Sequence, residues 1–311
     1  MLCEFMNVFC HIPRENWFAD RFGKEFGEHS QHNVSFTHLS VDIIWLLAPW
    51  CWKQIPYQSL VDKKVICTIH HEVPDKFDDI RLHEFLSRDA IVDVYHVPCK
   101  QTKYFIEQYT KKPIHVLGYW VNNKIWYSRD QTMCRKQLSL PEGKFFVGSF
   151  QRDTEGADLI TPKLEKGPDK FCDYVEQLHA IRGDVHVLLN GWRRQYVINR
   201  LSLAGIPYTY NELPDFNTVA MMYAACDLYV VGSRYEGGPQ AVLEAPAMNV
   251  PIISTDVGMA ADILPSTCIM DVGNSNVYYP SLSDVTTAHV NVQRYYVDTH
   301  VKHYDDLFRM I

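Results

Sequence analysis

The sequence lacks most of the short motifs that identify common enzyme classes. None of its 15 glycines forms G-x-G-x-x-G or G-x-x-x-x-G-K-S/T, which argues against a dinucleotide-dependent oxidoreductase and a P-loop enzyme. G-x-S-x-G is also absent, so no hydrolase nucleophile elbow is indicated. No two aspartates stand two residues apart, which removes a common carboxylate clamp for metals. We therefore expect no tightly bound cofactor, and the fold requires no divalent metal.

Further absences concern the cellular context and the partners. No apolar stretch of about 18 residues occurs, and the N-terminus lacks the basic and apolar regions of a signal peptide, so no transmembrane segment is predicted. The formal net charge is -7 without a long basic run, which argues against nucleic acid as a partner. Nine scattered cysteines without a C-x-x-C pair indicate free thiols in a reducing compartment. These features predict a soluble, cytoplasmic protein.

The length and the order of the predicted elements indicate two α/β domains. A chain of 311 residues suits two domains of about 150 residues each. Short apolar, β-branched segments alternate with helix-like segments, which is typical of doubly wound parallel sheets covered on both faces. A polar segment near Ser128 to Pro141 is the predicted break, which gives domains at 1–130 and 131–292. The last residues, about 293–311, have the pattern of an amphipathic helix.

One acidic, glycine-rich stretch, Ser233-Arg-Tyr-Glu-Gly-Gly-Pro-Gln-Ala-Val-Leu-Glu244, carries the strongest functional signal. It follows a predicted buried strand at Leu228 to Ser233. Gly237 and Gly238 allow a ligand to approach the backbone closely, and Pro239 suits the first turn of a helix. Free N–H groups at a helix start favour an anion. The stretch therefore predicts a phosphate site.

Two carboxylates accompany this phosphate site. Glu236 lies in the predicted turn, whereas Glu244 lies within the helix among the apolar residues Val242, Leu243 and Ala245. A mostly buried carboxylate needs a partner. A diphosphate-linked ligand with hydroxyl groups at both ends explains this separation better than a metal does. The alternative for Glu236 is a simple interaction with the helix dipole, and for Glu244 a solvated position on the helix.

The spacing of Glu236 and Glu244 is E-x7-E, and the segment Asn249-Val-Pro-Ile-Ile-Ser-Thr-Asp-Val-Gly258 follows it. This combination resembles the nucleotide-binding signature of retaining family-4 glycosyltransferases of the GT-B fold. The resemblance implies two facing Rossmann-like domains with a central cleft and a C-terminal helix that crosses back to the first domain. It covers nearly all of 144–271 and only patches of the first half. That half is short for the family, which suggests a compact enzyme of phage or viral origin.

The resemblance also implies roles for residues of the second half. Lys166 in Lys-Gly-Pro matches the diphosphate-binding lysine of the family, and Arg152 is its arginine partner, separated from it by an inserted loop. By the same matching, Glu236 approaches the hydroxyls of the donor sugar and Glu244 those of the ribose. The amides of Gly237 and Gly238 lie near the phosphates, next to Pro239.

In the first half, one strand end resembles the family and another departs from its pattern. Thr68-Ile-His70 resembles the Thr-x-His of the family, whose histidine reaches the sugar, and the adjacent His71 is a second candidate. Many members place a Gly-Gly pair after the first strand, where this chain has His11-Ile-Pro-Arg14. Either Arg14 replaces the pair electrostatically, or the first domain contributes less to the donor.

These matches predict a retaining transferase that moves a hexose from a nucleotide diphosphate sugar to an acceptor hydroxyl of a glycan. UDP-glucose is the favoured donor and GDP-mannose the second. Without an obvious nucleophile, the resemblance favours same-face attack by the acceptor, assisted by the departing phosphate. Two alternatives stay open: a sugar-nucleotide epimerase of related fold, and a non-catalytic nucleotide-sugar-binding protein. The acceptor and the oligomeric state are not encoded in a recognisable motif.

Overall fold

The computed structural model describes residues 5–14, 18–35, 37–156, 158–274 and 276–311. The chain divides into two compact units, Met1–Asn122 with Arg294–Ile311, and Asn123–Gln293. The division precedes the polar segment at which the sequence predicts the break, because Gln131–Gln137 of that segment form a helix of the second unit. The sequence pattern predicts a first helix that starts at Trp17, a residue that lies outside the described ranges, as does Cys3.

Each unit contains one fully parallel sheet, as its alternating pattern predicts. The first sheet has the strand order β2-β1-β3-β4-β5-β6, and the second has the order β11-β10-β7-β8-β9, numbered along the chain. The strands are β1 (Asn7–His11), β2 (Asn33–Ser35), β3 (Ile43–Leu46), β4 (Lys64–Thr68), β5 (Val94–Val97), β6 (Ile114–Val116), β7 (Phe145–Ser149), β8 (Val185–Asn190), β9 (Tyr208–Asn211), β10 (Leu228–Val231) and β11 (Ile252–Ser254).

Helices connect the strands in both units. They are α1 (Phe18–His29), α2 (Tyr57–Val61), α3 (Asp79–Asp89), α4 (Lys100–Ile106), α5 (Gln131–Gln137), α6 (Pro168–Arg182), α7 (Gln195–Leu203), α8 (Phe216–Ala225), α9 (Ala241–Ala247), α10 (Ala260–Ile263), α11 (Leu282–Val292) and α12 (Val297–Arg309). No helix in the described ranges is both long and apolar enough to cross a membrane.

Two inner strands, β3 and β8, are buried along their whole length, which is the reason for their mostly apolar sequences. Every residue of β3 and every residue of β8 is buried. A strand covered on both faces has no polar side, so its sequence shows no alternation. The eight cysteines of the described residues are buried free thiols, which confirms the prediction for them.

The C-terminal helix belongs to the first unit. The strand-like segment before α12 pairs with Val121, whose amide donates to the Tyr295 carbonyl at 2.9 Å and whose carbonyl accepts from Val297 at 3.0 Å. Along α12, the buried Tyr304 and Phe308 pack against aromatic rings of α1 and β3. The amphipathic pattern of this segment therefore reflects burial of one helix face against the first unit.

Helix α3 is an element that sequence reasoning missed. Seven of its eleven residues are polar or charged, and only two residues of the helix, Phe85 and Arg88, are buried. Its start is defined instead by Asp78, whose side chain accepts a hydrogen bond from the Arg81 amide at 2.9 Å. An N-cap aspartate of this kind stabilises a helix start without an apolar stripe.

Candidate active site

The acidic stretch lies at the carboxyl end of β10, where ligands bind in open parallel sheets. Residues 232–240 form a loop between β10 and α9. Strand β10 pairs with β11 on one side and with β7 on the other. Loops that follow β7, β10 and β11 therefore emerge at the same edge of the second sheet.

Two glycines pack backbone against backbone and bring the Lys166 turn to this loop. Gly167 has φ +59°, and a Cβ added to it would lie 1.8 Å from the Gly232 carbonyl oxygen. A Cβ on Gly232 would lie 2.9 Å from the Gly167 oxygen. Just beyond this contact, the Arg234 amide donates to the Glu165 carbonyl at 2.8 Å. Only glycine permits this approach, so the Gly of Lys-Gly-Pro has a structural explanation.

As a result, Lys166 and Glu236 form an ion pair. Lys166 Nζ lies 2.6 Å from Glu236 Oε1, and the two side chains are 19% and 10% exposed. Ser233 Oγ donates to the same carboxylate oxygen at 3.2 Å, and Gln151 Nε2 donates to the Lys166 carbonyl at 2.7 Å. The structure thus brings together two predicted site residues that are far apart in the sequence. The Lys166 ammonium can bind a phosphate group, and the adjacent Glu236 carboxylate can accept a hydrogen bond from a hydroxyl group.

The segment that follows the motif supports the same loop from the other side. Gly258 has φ +55°, and a Cβ added to it would lie 2.3 Å from the Gly237 oxygen and 2.9 Å from the Glu236 oxygen. Gly237 is buried, whereas Gly238 is partly exposed. The backbone of Gly258 therefore packs closely against the backbone of Glu236 and Gly237.

The sequence pattern predicts that the helix after the motif begins near Gly238, and this prediction is wrong. Helix α9 begins at Ala241, so Pro239 precedes the helix instead of lying in its first turn. The Pro239 carbonyl accepts a hydrogen bond from the Val242 amide at 3.0 Å, and the Gln240 carbonyl accepts from the Glu244 amide at 2.8 Å. These amides are already bonded, so the seven-residue helix offers an anion fewer donors than the sequence suggested.

Glu244 is buried, as its apolar neighbours predict. It is 7% exposed within α9, and its surroundings include the ring pair of Tyr223 and Tyr229, whose centroids are 4.8 Å apart. Burial is the main reason that the pKa of Tyr223 lies well above its usual range, and the charges of Tyr229 and Glu244 raise it further. The surface-exposed alternative for Glu244 is thereby excluded.

Arg152 lies after β7, close to a second arginine that sequence reasoning missed. Its Nε donates to the Thr154 carbonyl at 2.8 Å. Burial lowers the pKa of Arg152 and the neighbouring Arg193 lowers it further, whereas Glu155 and Glu165 raise it. The sequence pattern predicts a helix from Arg193 to Ala204, but α7 begins at Gln195. The sequence signal that could have identified Arg193 is the pair Arg193-Arg194 shortly after the buried strand β8.

The loop inserted between Arg152 and Lys166 is a small hairpin. Thr154 and Pro162 form an antiparallel bridge, and the Lys163 amide donates to the Asp153 carbonyl at 2.8 Å. The hairpin returns the chain close to its starting point. Arg152 and Lys166 consequently stand at two ends of one closed loop despite their separation in sequence.

In the first unit, His70 is buried at the end of β4 and is 8% exposed. Its Nε2 lies 2.8 Å from the Leu47 carbonyl oxygen, and its Nδ1 forms a short hydrogen bond with the Tyr119 hydroxyl. A carbonyl can only accept, so Nε2 carries the proton and Nδ1 accepts from Tyr119. The adjacent His71 is partly exposed. The sugar-binding role of either histidine stays a prediction.

Arg14 is exposed and has a left-handed backbone with φ 56°. Its amide donates to Asp20 Oδ1 at 2.8 Å, which stabilises this turn. Burial, and then the charge of Arg14, lower the pKa of His11. That Arg14 replaces the Gly-Gly pair of the family electrostatically also stays a prediction. Across the described ranges, no group of three or more His, Cys, Asp or Glu side chains is arranged to hold a metal ion.

Comparison with known proteins agrees with this geometry. Residues 157–276 match the family model Glycosyl transferases group 1. The lipopolysaccharide core biosynthesis mannosyltransferase LpsB of Rhizobium meliloti (strain 1021) is 29% identical over 142 residues, which cover 43% of this chain and 38% of LpsB. The matched part thus spans well under half of this curated relative. Residues 157–276 are therefore similar to the glycosyl transferases group 1 family, and part of the chain is similar to a mannosyltransferase.

Solved structures of similar fold extend the likeness to both units. HepE from Anabaena, solved in complex with UDP and glucose, has a TM-score of 0.77 at 12% identity. The match covers 99% of this chain and 100% of the HepE chain. Sucrose-phosphate synthase from Thermosynechococcus elongatus has a TM-score of 0.69 at 18% identity, over 96% of this chain and 80% of that chain. These likenesses show the GT-B fold, which confirms the predicted fold class.

Proposed function

We propose that the protein is a retaining glycosyltransferase that moves a hexose from a nucleotide diphosphate sugar to a hydroxyl group of a glycan acceptor. The observation that carries the proposal is the ion pair of Lys166 and Glu236 at 2.6 Å, in a segment that matches the glycosyltransferase family. UDP-glucose is the favoured donor, supported by HepE, which was solved with UDP-glucose. GDP-mannose is the second, supported by the name of the mannosyltransferase LpsB.

In this proposal, Lys166 and Arg152 stabilise the leaving diphosphate. Departure of the nucleoside diphosphate leaves an oxocarbenium-like sugar, so negative charge develops on the phosphate oxygens. On donor binding, the Lys166 ammonium exchanges the Glu236 carboxylate for a phosphate oxygen, and the amides of Gly237 and Gly238 add donors. The acceptor hydroxyl attacks the anomeric carbon on the face that the diphosphate leaves, and its proton passes to the departing phosphate.

The carboxylates orient the two ends of the donor. Glu236, released from Lys166, accepts hydrogen bonds from the hexose hydroxyls, while Glu244 accepts them from the ribose. His70, with His71 beside it, is proposed to contact the sugar, and Arg14 to add positive charge. The hydrogen bonds of His70 to Leu47 and Tyr119 fix the orientation of its ring.

The first test measures nucleotide affinity in Lys166→Ala and Glu244→Ala. We expect Lys166→Ala to weaken UDP or GDP binding roughly 10- to 100-fold, because a charge-assisted hydrogen bond is lost. Lys170→Ala is a matched control: Lys170 lies on α6, and its Nζ pairs with Asp271 at 2.5 Å with a side chain 20% exposed. Undiminished affinity in both Lys166→Ala and Glu244→Ala contradicts the site assignment.

Glu236→Gln separates binding from transfer. The glutamine no longer competes for the Lys166 ammonium, so nucleotide binding is retained or improved, while the sugar loses a charged hydrogen-bond acceptor. We expect transfer to fall by about two orders of magnitude, corresponding to roughly 3 kcal/mol of transition-state stabilisation. Transfer at the wild-type rate contradicts the proposed sugar contact.

The two alternative functions predict different products from the same donor panel. An epimerase converts the sugar of the donor without an acceptor, whereas a transferase releases the nucleoside diphosphate and slowly hydrolyses the donor in water. A non-catalytic protein binds the donor and leaves it intact across many acceptors. Incubation with UDP-glucose and GDP-mannose, with and without Mg²⁺, followed by identification of the sugar product, distinguishes all three.

A further inference from the structure

Arg193 lies at the same edge of the second sheet as Arg152. Strands β7 and β8 are neighbours in register, with Ser149 opposite Leu189. Arg152 follows the end of β7 and Arg193 follows the end of β8. Because the strands are parallel, the two loops emerge side by side at the carboxyl edge, where the loop of Glu236 also emerges.

The backbone of Arg193 is held in an unfavourable conformation by the loop of Arg152. Arg193 has φ 59°, a left-handed region that side chains other than glycine and asparagine seldom adopt. Its carbonyl accepts hydrogen bonds from the Asp153 amide at 3.2 Å, the Thr154 amide at 3.2 Å and Thr154 Oγ1 at 3.1 Å. Three donors from one loop thus define the position of this single residue in the other loop.

A buried ion pair lies beneath the two arginines and joins the same loops. Arg194 is fully buried, and its Nε donates to Asp153 Oδ2 at 2.9 Å. Its guanidinium also donates to the Asn190 carbonyl at 2.7 Å and to Ser149 Oγ at 3.1 Å. The two loops therefore form one rigid ledge, which places the side chains of Arg152 and Arg193, the residues immediately before Asp153 and Arg194.

The two arginines on this ledge are not neutralised by ion pairs. Among the residues that the structure describes, neither the Arg152 nor the Arg193 guanidinium has a carboxylate within ion-pair distance. Arg193 Cζ instead lies 4.4 Å from the centre of the Trp192 ring, which is 52% exposed. The positive charge of Arg193 acts on Arg152, and so do the negative charges of Glu155 and Glu165. Two neighbouring arginines that form no salt bridge of their own favour binding of an anion.

We propose that Arg193 is a second arginine of the donor diphosphate site and binds a phosphate oxygen together with Arg152. This inference rests on the proposed function, because the diphosphate of the donor is the anion that it assigns. The planar guanidinium offers two parallel N–H donors to a phosphate. Stacking on Trp192 restricts the side chain before the ligand arrives. Arg193 thus complements Lys166 from the opposite side of Arg152.

The test compares Arg193→Asn with the wild type. Asparagine tolerates the left-handed backbone, so the substitution removes the charge without adding strain. We expect UDP affinity, measured by isothermal titration, to fall roughly 10- to 100-fold, and uridine affinity, measured by ligand-observed NMR, to stay unchanged. GDP and guanosine replace these probes if the wild type prefers GDP. Arg193→Lys should recover part of the lost affinity.

Arg182→Asn is the charge-matched control, because Arg182 ends α6 before β8 begins and pairs with Asp184. Its UDP affinity should stay within about twofold of the wild type, since a distant exposed charge is screened. Wild-type UDP affinity in Arg193→Asn overturns the inference, as does an equal loss of uridine affinity. A wild-type protein that binds no nucleoside diphosphate overturns the proposed function itself. Circular dichroism verifies folding, and Arg193→Gln replaces Arg193→Asn if the latter is unfolded.

Discussion

Gly167→Ala should destabilise the protein much more than Gly183→Ala, although both glycines flank α6 and have positive φ. Gly167 precedes the helix with φ +59°, and Gly183 follows it with φ +73°. A Cβ on Gly167 would lie 1.8 Å from the Gly232 oxygen, whereas a Cβ on Gly183 meets nothing within 4 Å. The pair therefore separates the conformational penalty of alanine from a steric penalty.

The magnitudes follow from these two terms. An alanine in the left-handed region is disfavoured by about 1–2 kcal/mol, and this penalty applies to both variants. The restricted unfolded chain offsets some of it. At Gly167, the backbone must also move by about 1 Å to relieve the contact, which adds about 1–3 kcal/mol of overpacking. We expect Gly167→Ala to be less stable than Gly183→Ala by that second amount.

Urea denaturation followed by circular dichroism measures the difference in the free energy of unfolding. Nucleotide titration adds a functional measurement, because the backbone movement at Gly167 also displaces Lys166. It strains the hydrogen bond from the Arg234 amide to the Glu165 carbonyl, which is 2.8 Å long in the wild type. UDP affinity should fall in Gly167→Ala and stay unchanged in Gly183→Ala. Equal stability of the two variants would refute the close packing of Gly167 on Gly232.

Three further predictions concern buried groups. Burial lowers the pKa of His96 and of His300 to about 4, so the unfolded state binds more protons than the folded state between pH 6.5 and 4. Stability should therefore decrease as the pH is lowered through this window, by up to about 3 kcal/mol per histidine. His300→Gln should reduce this dependence in urea titrations at successive pH values. Arg194→Met should cost about 3–5 kcal/mol of unfolding free energy by leaving Asp153 buried and unpaired, and Asp153→Asn in the same chain should restore much of it; an unchanged urea midpoint in the single variant would contradict the buried pair. Of nine cysteines, eight are buried, so at most one thiol per native chain should react rapidly with a thiol reagent, and all nine after denaturation.

Local patterns were sufficient to predict the strands and the motif of the second unit. The apolar run before Glu236 becomes β10, and the Lys166-Gly-Pro turn becomes the start of α6. Helix α3 was missed because its side chains are mostly polar and its start depends on a cap. The start of α9 was misplaced because Pro239 and Gln240 form a turn whose hydrogen bonds have no sequence signature.

Patterns in the sequence were sufficient to predict the class of fold, because buried parallel strands have mostly apolar sequences. They also marked Glu236 and Glu244 as candidate site residues. The tertiary structure alone decided that Lys166 meets Glu236, and that Arg193 stands beside Arg152. These contacts join residues from separate strand ends. The sheet order and the buried pair of Asp153 and Arg194 bring them together, and neither is visible in any local pattern.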